Sequence, residues 1–164
     1  MPRRGEGRCS LGTLAAMRPL QVVAGTRIVP AAADDIFDLL ARPARHPEFD
    51  GSGTVREVRG ARTPERLSLG ATFGMQMRWG APYKILNKVI EFEEGRRIGW
   101  RHFAGHVWRY RLEPLGPHST KVTEEFDPRP SRYPRATRLL GWERRNQHAI
   151  EHTLANLVEW ASDR

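Results

Sequence analysis

From Ala71 to Phe126 the chain alternates apolar and polar side chains, the period of strands with one covered face. Phe73, Met75, Met77 and Trp79 fall on one side, and Thr72, Gly74, Gln76 and Arg78 on the other. Tyr83 to Glu93 continues less cleanly to a turn at Glu94-Gly95. Ile98 to Phe103 follows, then a turn at Ala104-Gly105. Next comes Val107 to Leu115, with Trp108, Tyr110 and Leu112 opposing Arg109, Arg111 and Glu113. After Gly116-Pro117, Thr120 to Phe126 sets Val122, Glu124 and Phe126 against Lys121, Thr123 and Glu125. Tight turns between successive strands predict antiparallel hairpins with one solvated face.

Two regions flank this meander. Leu20 to Val29 reads as a strand with Val22, Ala24, Thr26 and Ile28 on one face. Pro30 opens a short helix over Ala31 to Ala41, acidic in its early turns and apolar at Ile36, Phe37, Leu39 and Leu40. Pro43 and Pro47 hold Ala44 to Phe49 to a turn of helix. Asp50-Gly51 marks a tight turn, and Thr54 to Arg59 a short strand. At the other end, Arg135 to Ala161 contains no proline and one glycine, Gly141, which predicts a single helix of about seven turns. At about 100° per residue, Leu139, Ile150, Leu154, Leu157 and Ala161 share a stripe. Trp142, Thr153 and Trp160 flank it on one side, Leu140 and Val158 on the other. Glu143 and Asn146 interrupt the stripe. A dry core does not tolerate such groups unpaired, so they point to a hollow, partly wet interior.

The element order predicts an α+β fold: an antiparallel sheet of seven strands, two short helices after the first strand, and a long C-terminal helix against the sheet. One domain is expected over residues 19–164, behind a disordered extension at residues 1–18. No apolar run reaches the roughly 20 residues of a membrane-spanning helix. Cys9 is the only cysteine, which excludes an internal disulfide and a zinc-thiolate site and permits a reducing compartment. A cytoplasmic protein is the expectation. The net charge is +8. Part of it gathers at Arg129, Arg132, Arg135, Arg138, Arg144 and Arg145 against Glu143 alone. That cluster opens a reading as a module docking on RNA, ribosomes or anionic membrane. A solvated helix entrance is the plainer account, and nucleic acid is not expected as a partner.

Several stretches carry a family resemblance. They are Ile28-Val29-Pro30-Ala31 leading into Asp35 to Ala41, Pro47-Glu48-Phe49, Val89 to Ile98, Trp100-Arg101-His102 and Thr120 to Phe126. Over residues 20–162 the chain resembles the START-related, birch-pollen-allergen-like (SRPBCC) superfamily, in its bacterial polyketide cyclase/dehydrase branch. The resemblance implies a helix-grip fold, in which a curved sheet wraps the C-terminal helix and leaves a cavity. It also implies a hydrophobic small-molecule partner such as a lipid, polyketide or isoprenoid-like compound, and in some members cyclisation of polyketides. Fold alone does not decide among these.

The proposed inward faces set Met75, Met77, Trp79, Trp100, Trp108, Tyr110 and Phe126 along one concave surface. Those side chains either fill a core or line a pocket for a flat or lipid-like ligand, with Glu143 and Asn146 as its polar groups. His102 shares a face with Ile98 and Trp100, and Glu124 with Val122 and Phe126. If both point inward they form a candidate acid–base pair, since a carboxyl among aromatic rings has a raised pKa. The enzyme this implies is a cofactor-free cyclase or dehydratase. No cofactor and no metal are expected. His148-Ala149-Ile150-Glu151-His152 matches an inverted zinc-protease string, but its histidines lie opposite the apolar stripe, in water.

Overall fold

The structure is a computed structural model and describes residues 19–58, 63–79 and 81–164. The expected extension at residues 1–18 lies outside the described residues. Strand β1 (Val23–Val29) leads into helix α1 (Ala33–Ala41) and a 3-10 turn (Pro43–Glu48). Six strands follow: β2 (Val55–Val58), β3 (Thr72–Trp79), β4 (Ala81–Glu93), β5 (Arg97–His102), β6 (Val107–Gly116) and β7 (Ser119–Asp127). Helices α2 (Pro134–Leu139) and α3 (Trp142–Ser162) close the chain. The strands form one sheet in the order β1-β7-β6-β5-β4-β3-β2, with antiparallel neighbours and with β1 and β2 at its free edges. The α+β architecture of seven strands, with two short helical elements after the first, follows the sequence pattern.

Register shifts at Val89/Glu91 in β4 and at Pro114/Gly116 in β6 bend the sheet, because an unpaired residue kinks its strand and increases local twist. On the outer face Arg109 lies between Glu91, 2.7 Å from its Nε, and Glu125. In β1 the face holding Ala24, Thr26 and Ile28 is the solvent face, with Ile28 59% exposed, while Val29 enters the core.

The predicted single C-terminal helix is two helices. Gly141 takes φ +62°, a left-handed conformation that ends α2, and its N–H donates to the carbonyl of Arg138. The break resets the helical phase. Leu139, expected in the apolar stripe, is 88% exposed and Leu140 is exposed beside it, whereas Ile150, Leu154 and Leu157 of α3 are buried.

Helix α3 packs chiefly on β1 and β7, at one side of the curved sheet. Gly25 of β1 permits that approach: a Cβ there would stand 2.7 Å from Cγ2 of Ile150 and 2.9 Å from Cδ1 of Leu154. Cδ1 of Leu154 can turn aside, whereas Cγ2 of the buried, β-branched Ile150 yields only by a small shift. Gly25→Ala is therefore expected to cost about 1–2 kcal/mol, read as a lowered urea midpoint at unchanged m-value. Over the other strands the helix stands clear of the sheet, and the wedge between them is hollow.

Candidate functional site

The hollow is a cavity of about 540 Å³ between the concave face of β3–β7, the loop around Asp50 and one face of α3. Its floor is arranged in rows set by the strand register. Ile98 of β5 lies opposite Tyr110 of β6, which lies opposite Glu124 of β7. Two residues along, about 7 Å at strand rise, Trp100, Trp108 and Phe126 form an aromatic row. Two residues further, His102 faces His106 across the turn at Ala104-Gly105, and Asn87 of β4 continues that row.

The sequence candidates are distributed unevenly over this surface. Met75, Trp100, Trp108, Tyr110, His102, Glu124 and Asn146 line the cavity. Phe126 does not. It is fully buried beneath the floor, its ring 4.9 Å from that of Trp108 and 5.3 Å from His106. Glu143 is also outside the wall, because its carboxylate accepts the backbone N–H of Gln21 at 2.5 Å. The side chains of Met77 and Trp79 lie outside the described residues.

Register also separates the expected acid–base pair. His102 stands two strands over and four residues along from Glu124, an offset of about 13 Å along the strand and 9–10 Å across. The two side chains cannot act on one substrate atom. Each instead has a nearer partner.

Glu124 is buried, at 2% exposure. Its Oε1 accepts the hydroxyl of Tyr110 at 2.8 Å, and its Oε2 has no hydrogen-bond partner among the described residues. Burial pushes this carboxyl well above the usual range. The Tyr110 hydrogen bond opposes that shift, and the negative charge of Asp50 adds to it. With one hydrogen bond and no cation beside it among the described residues, the buried carboxyl favours its neutral, protonated form. Since Oε1 is receiving the phenol proton, the acid proton sits on Oε2. Tyr110 remains a phenol, held up first by burial and then by Glu124. Asp50 itself is occupied, accepting from the backbone N–H groups of Ser52, Thr54 and Val55 and from the Ser52 hydroxyl.

His102 and His106 stack, with ring centroids 4.2 Å apart and planes 15° apart. The backbone N–H of Ala104 donates to Nδ1 of His102 at 3.1 Å, which places that ring's proton on Nε2. Burial pulls His102 down to about 4. Burial, and then His102, pulls His106 down to about 3, so both rings are neutral at pH 7. Nδ1 of His106 is buried and has no partner among the described residues. A third ring, His46, stacks on Trp100 at 5.4 Å and 22°, and its Nε2–H donates to the carbonyl of Leu40 at 2.8 Å. Phe49 and Phe73 meet this box edge-on.

The chain resembles known proteins along nearly all of its described length. Residues 21–161 match the family described as polyketide cyclase / dehydrase and lipid transport. The chain belongs to that family. Two curated relatives, the uncharacterized proteins Rv0088 and MT0096 from two strains of Mycobacterium tuberculosis, are 37% and 36% identical over 141 residues. The matched region is 80% of this chain and 60% of each relative, so the chain spans less than two thirds of those proteins. Among solved structures, a START superfamily protein from Mycobacterium smegmatis superposes with a TM-score of 0.66 at 17% identity, covering 87% of this chain and 97% of that one. A polyketide-cyclase-like protein from Corynebacterium glutamicum does so with a TM-score of 0.60 at 20% identity, covering 86% and 91%. At these identities the structural likeness establishes the fold.

Within the family fold, several wall residues escaped the sequence reading. His106 was legible in principle, because a hairpin closed at Ala104-Gly105 sets positions 102 and 106 opposite each other. His46 carries no such signal, since its Pro-flanked turn has no hydrophobic period. His148 and His152 are exposed on the far side of α3, as their wheel positions require. Among the described residues no helix is long and apolar enough to cross a membrane.

Proposed function

We propose that the protein binds a largely apolar, aromatic small molecule, lipid-, polyketide- or isoprenoid-like, in the cavity between the sheet and α3. The observation that carries this reading is the cavity itself: about 540 Å³ of space faced by Met75, Phe49, Trp100, Trp108 and Trp142, with a few polar groups at fixed places. Such a lining suits a ligand of drug-like size held by apolar contact and oriented by sparse hydrogen bonds. Membership of a family described by polyketide cyclisation, dehydration and lipid transport supports it. A chain whose single cysteine can form no internal disulfide needs no oxidising compartment, which supports action in the cytoplasm.

Solvent extraction of the purified protein followed by mass spectrometry tests the reading. A co-purifying hydrophobic compound at near-equimolar amount is the expected result. Asn146→Trp, which fills the α3 side of the cavity, should reduce the recovered compound at least about tenfold while the melting temperature stays within a few degrees. Equal recovery from both proteins would place the compound elsewhere and sink the reading. A second reading, a cofactor-free cyclase or dehydratase, is favoured by one observation: Glu124 is a buried carboxyl in the cavity wall, its pKa pushed up by burial. In that case an added linear poly-β-carbonyl compound comes back ring-closed or dehydrated, and Glu124→Gln abolishes the conversion. For a carrier it comes back unchanged.

A further inference from the structure

We infer that Oε2 of Glu124 is a hydrogen-bond donor reserved for the ligand, and that the ligand presents to it a neutral carbonyl oxygen. The inference rests on the cavity-binding reading above and goes beyond it by naming the chemistry at the buried end of the site.

Three observations meet there. Oε1 is already engaged as an acceptor by the Tyr110 hydroxyl, so the remaining proton of the acid belongs to Oε2. Oε2 is buried with nothing to donate to among the described residues, in a wall that the cavity reaches. A buried donor left unpaired is costly, and an acceptor brought in by a ligand removes that cost. The aromatic row of Trp100 and Trp108 lies about 7 Å away along the strands. A flat molecule whose carbonyl meets Glu124 therefore lays its rings on those indoles.

The competing occupants fit less well. A ligand carboxylate would enter an end of the cavity whose nearest formal charge is Asp50, itself negative. A cation would turn Glu124 into a carboxylate, and aromatic walls are no obstacle to that. It would have to approach a protein of net charge +8 through a cavity whose lining includes Arg145.

One tricyclic frame tests all of this. Fluorene, 9-fluorenone and protonated 9-aminofluorene share a shape and differ in presenting no acceptor, a carbonyl or a cation. Their affinities for the wild-type protein, Glu124→Leu and Glu124→Gln are measured by calorimetry at pH 7. The fluorenone-to-fluorene preference is expected to fall about tenfold in Glu124→Leu, the loss that follows when a buried carbonyl is left without its donor. It should survive within about threefold in Glu124→Gln, whose amide still donates. The carbonyl stretch of bound fluorenone should sit at lower frequency in the wild type than in Glu124→Leu. An unchanged preference in Glu124→Leu overturns the inference while leaving the cavity reading intact. Tightest binding by the amine also overturns it, since Glu124 would then be an anion. Binding of none of the three overturns the cavity reading itself.

Discussion

Acidification from pH 7 to pH 4 is expected to lower the melting temperature by at least about 10 °C, with the loss beginning near pH 6.5. The cause is a set of histidines that the fold keeps neutral. His46, His102 and His106 have folded-state pKa values of about 4, about 4 and about 3, all below the ordinary 6.5. Between those limits the unfolded chain binds protons that the folded one refuses, so stability falls as pH falls. A pKa difference is worth about 1.4 kcal/mol per unit. His46 alone therefore accounts for about 3 kcal/mol by pH 4, or about 6–12 °C for a chain of this size. The ion-paired Asp38 and Asp127 are held below the ordinary 3.8 by Arg42 and Arg129, and they act only in a lower window. Glu124 works in the opposite direction. Its folded pKa lies above the ordinary 4.5, so from that pH upward the unfolded chain ionises it while the folded one does not, and stability declines with rising pH until Glu124 ionises in place. Three histidines act against this one carboxyl between pH 4.5 and 6.5, so its opposing slope reduces the acid limb without reversing it. Urea titrations across pH 4–9 read this directly. Glu124→Gln should steepen the acid limb between pH 4.5 and 6.5, and His46→Gln should flatten it by about one proton. A wild-type curve level from pH 4.5 to 6.5 would mean that the histidines are not held neutral.

Gly51→Ala is expected to be among the most damaging single methyl groups in the described chain, costing about 3 kcal/mol or more. A Cβ at this position would stand 2.2 Å from the backbone nitrogen of Thr153, 2.4 Å from the carbonyl oxygen of Ala149 and 2.6 Å from the carbonyl carbon of His152. Helix backbone yields less readily than the side-chain atoms facing Gly25. Either α3 lifts or the loop retreats, and both movements break the bond from the Gly51 N–H to Oγ1 of Thr153, now 3.0 Å. A melting temperature lowered by about 6–12 °C, against a much smaller drop for Gly25→Ala, is the expected pattern. Equal drops would mean that α3 is seated no more closely on the loop than on β1. Asp50 and Thr153 both border the cavity, so ligand binding should weaken in parallel.

The fold was legible because a two-residue period states which side chains share a face. That alone placed Trp100, His102, Tyr110 and Glu124 together on the concave surface. Register was not legible. Which residue on one strand lies opposite which on the next depends on turn geometry and on bulges such as the one at Val89/Glu91, and facing the same way is not being within reach. His102 and Glu124 share the surface yet belong to rows about 13 Å apart along the strands. Of the polar interruptions of the C-terminal stripe, Asn146 stands in the cavity wall. Glu143 has a separate duty at the backbone of Gln21. The glycine between α2 and α3 did not announce a break, since one glycine costs a helix only about 1 kcal/mol. Its left-handed φ appears only with the fold.

That left-handed residue has a mechanical result. Inserting one residue after Trp142 would turn everything beyond it by about 100° and carry Ile150, Leu154 and Leu157 out of the sheet's grasp. The same insertion before Gly141 is absorbed at the joint. Tyr133 and Ala136 at the cavity entrance can thus be lengthened, shortened or exchanged without disturbing the clamp behind them, and the doorway is free to change its clientele while the hinge-post stays put.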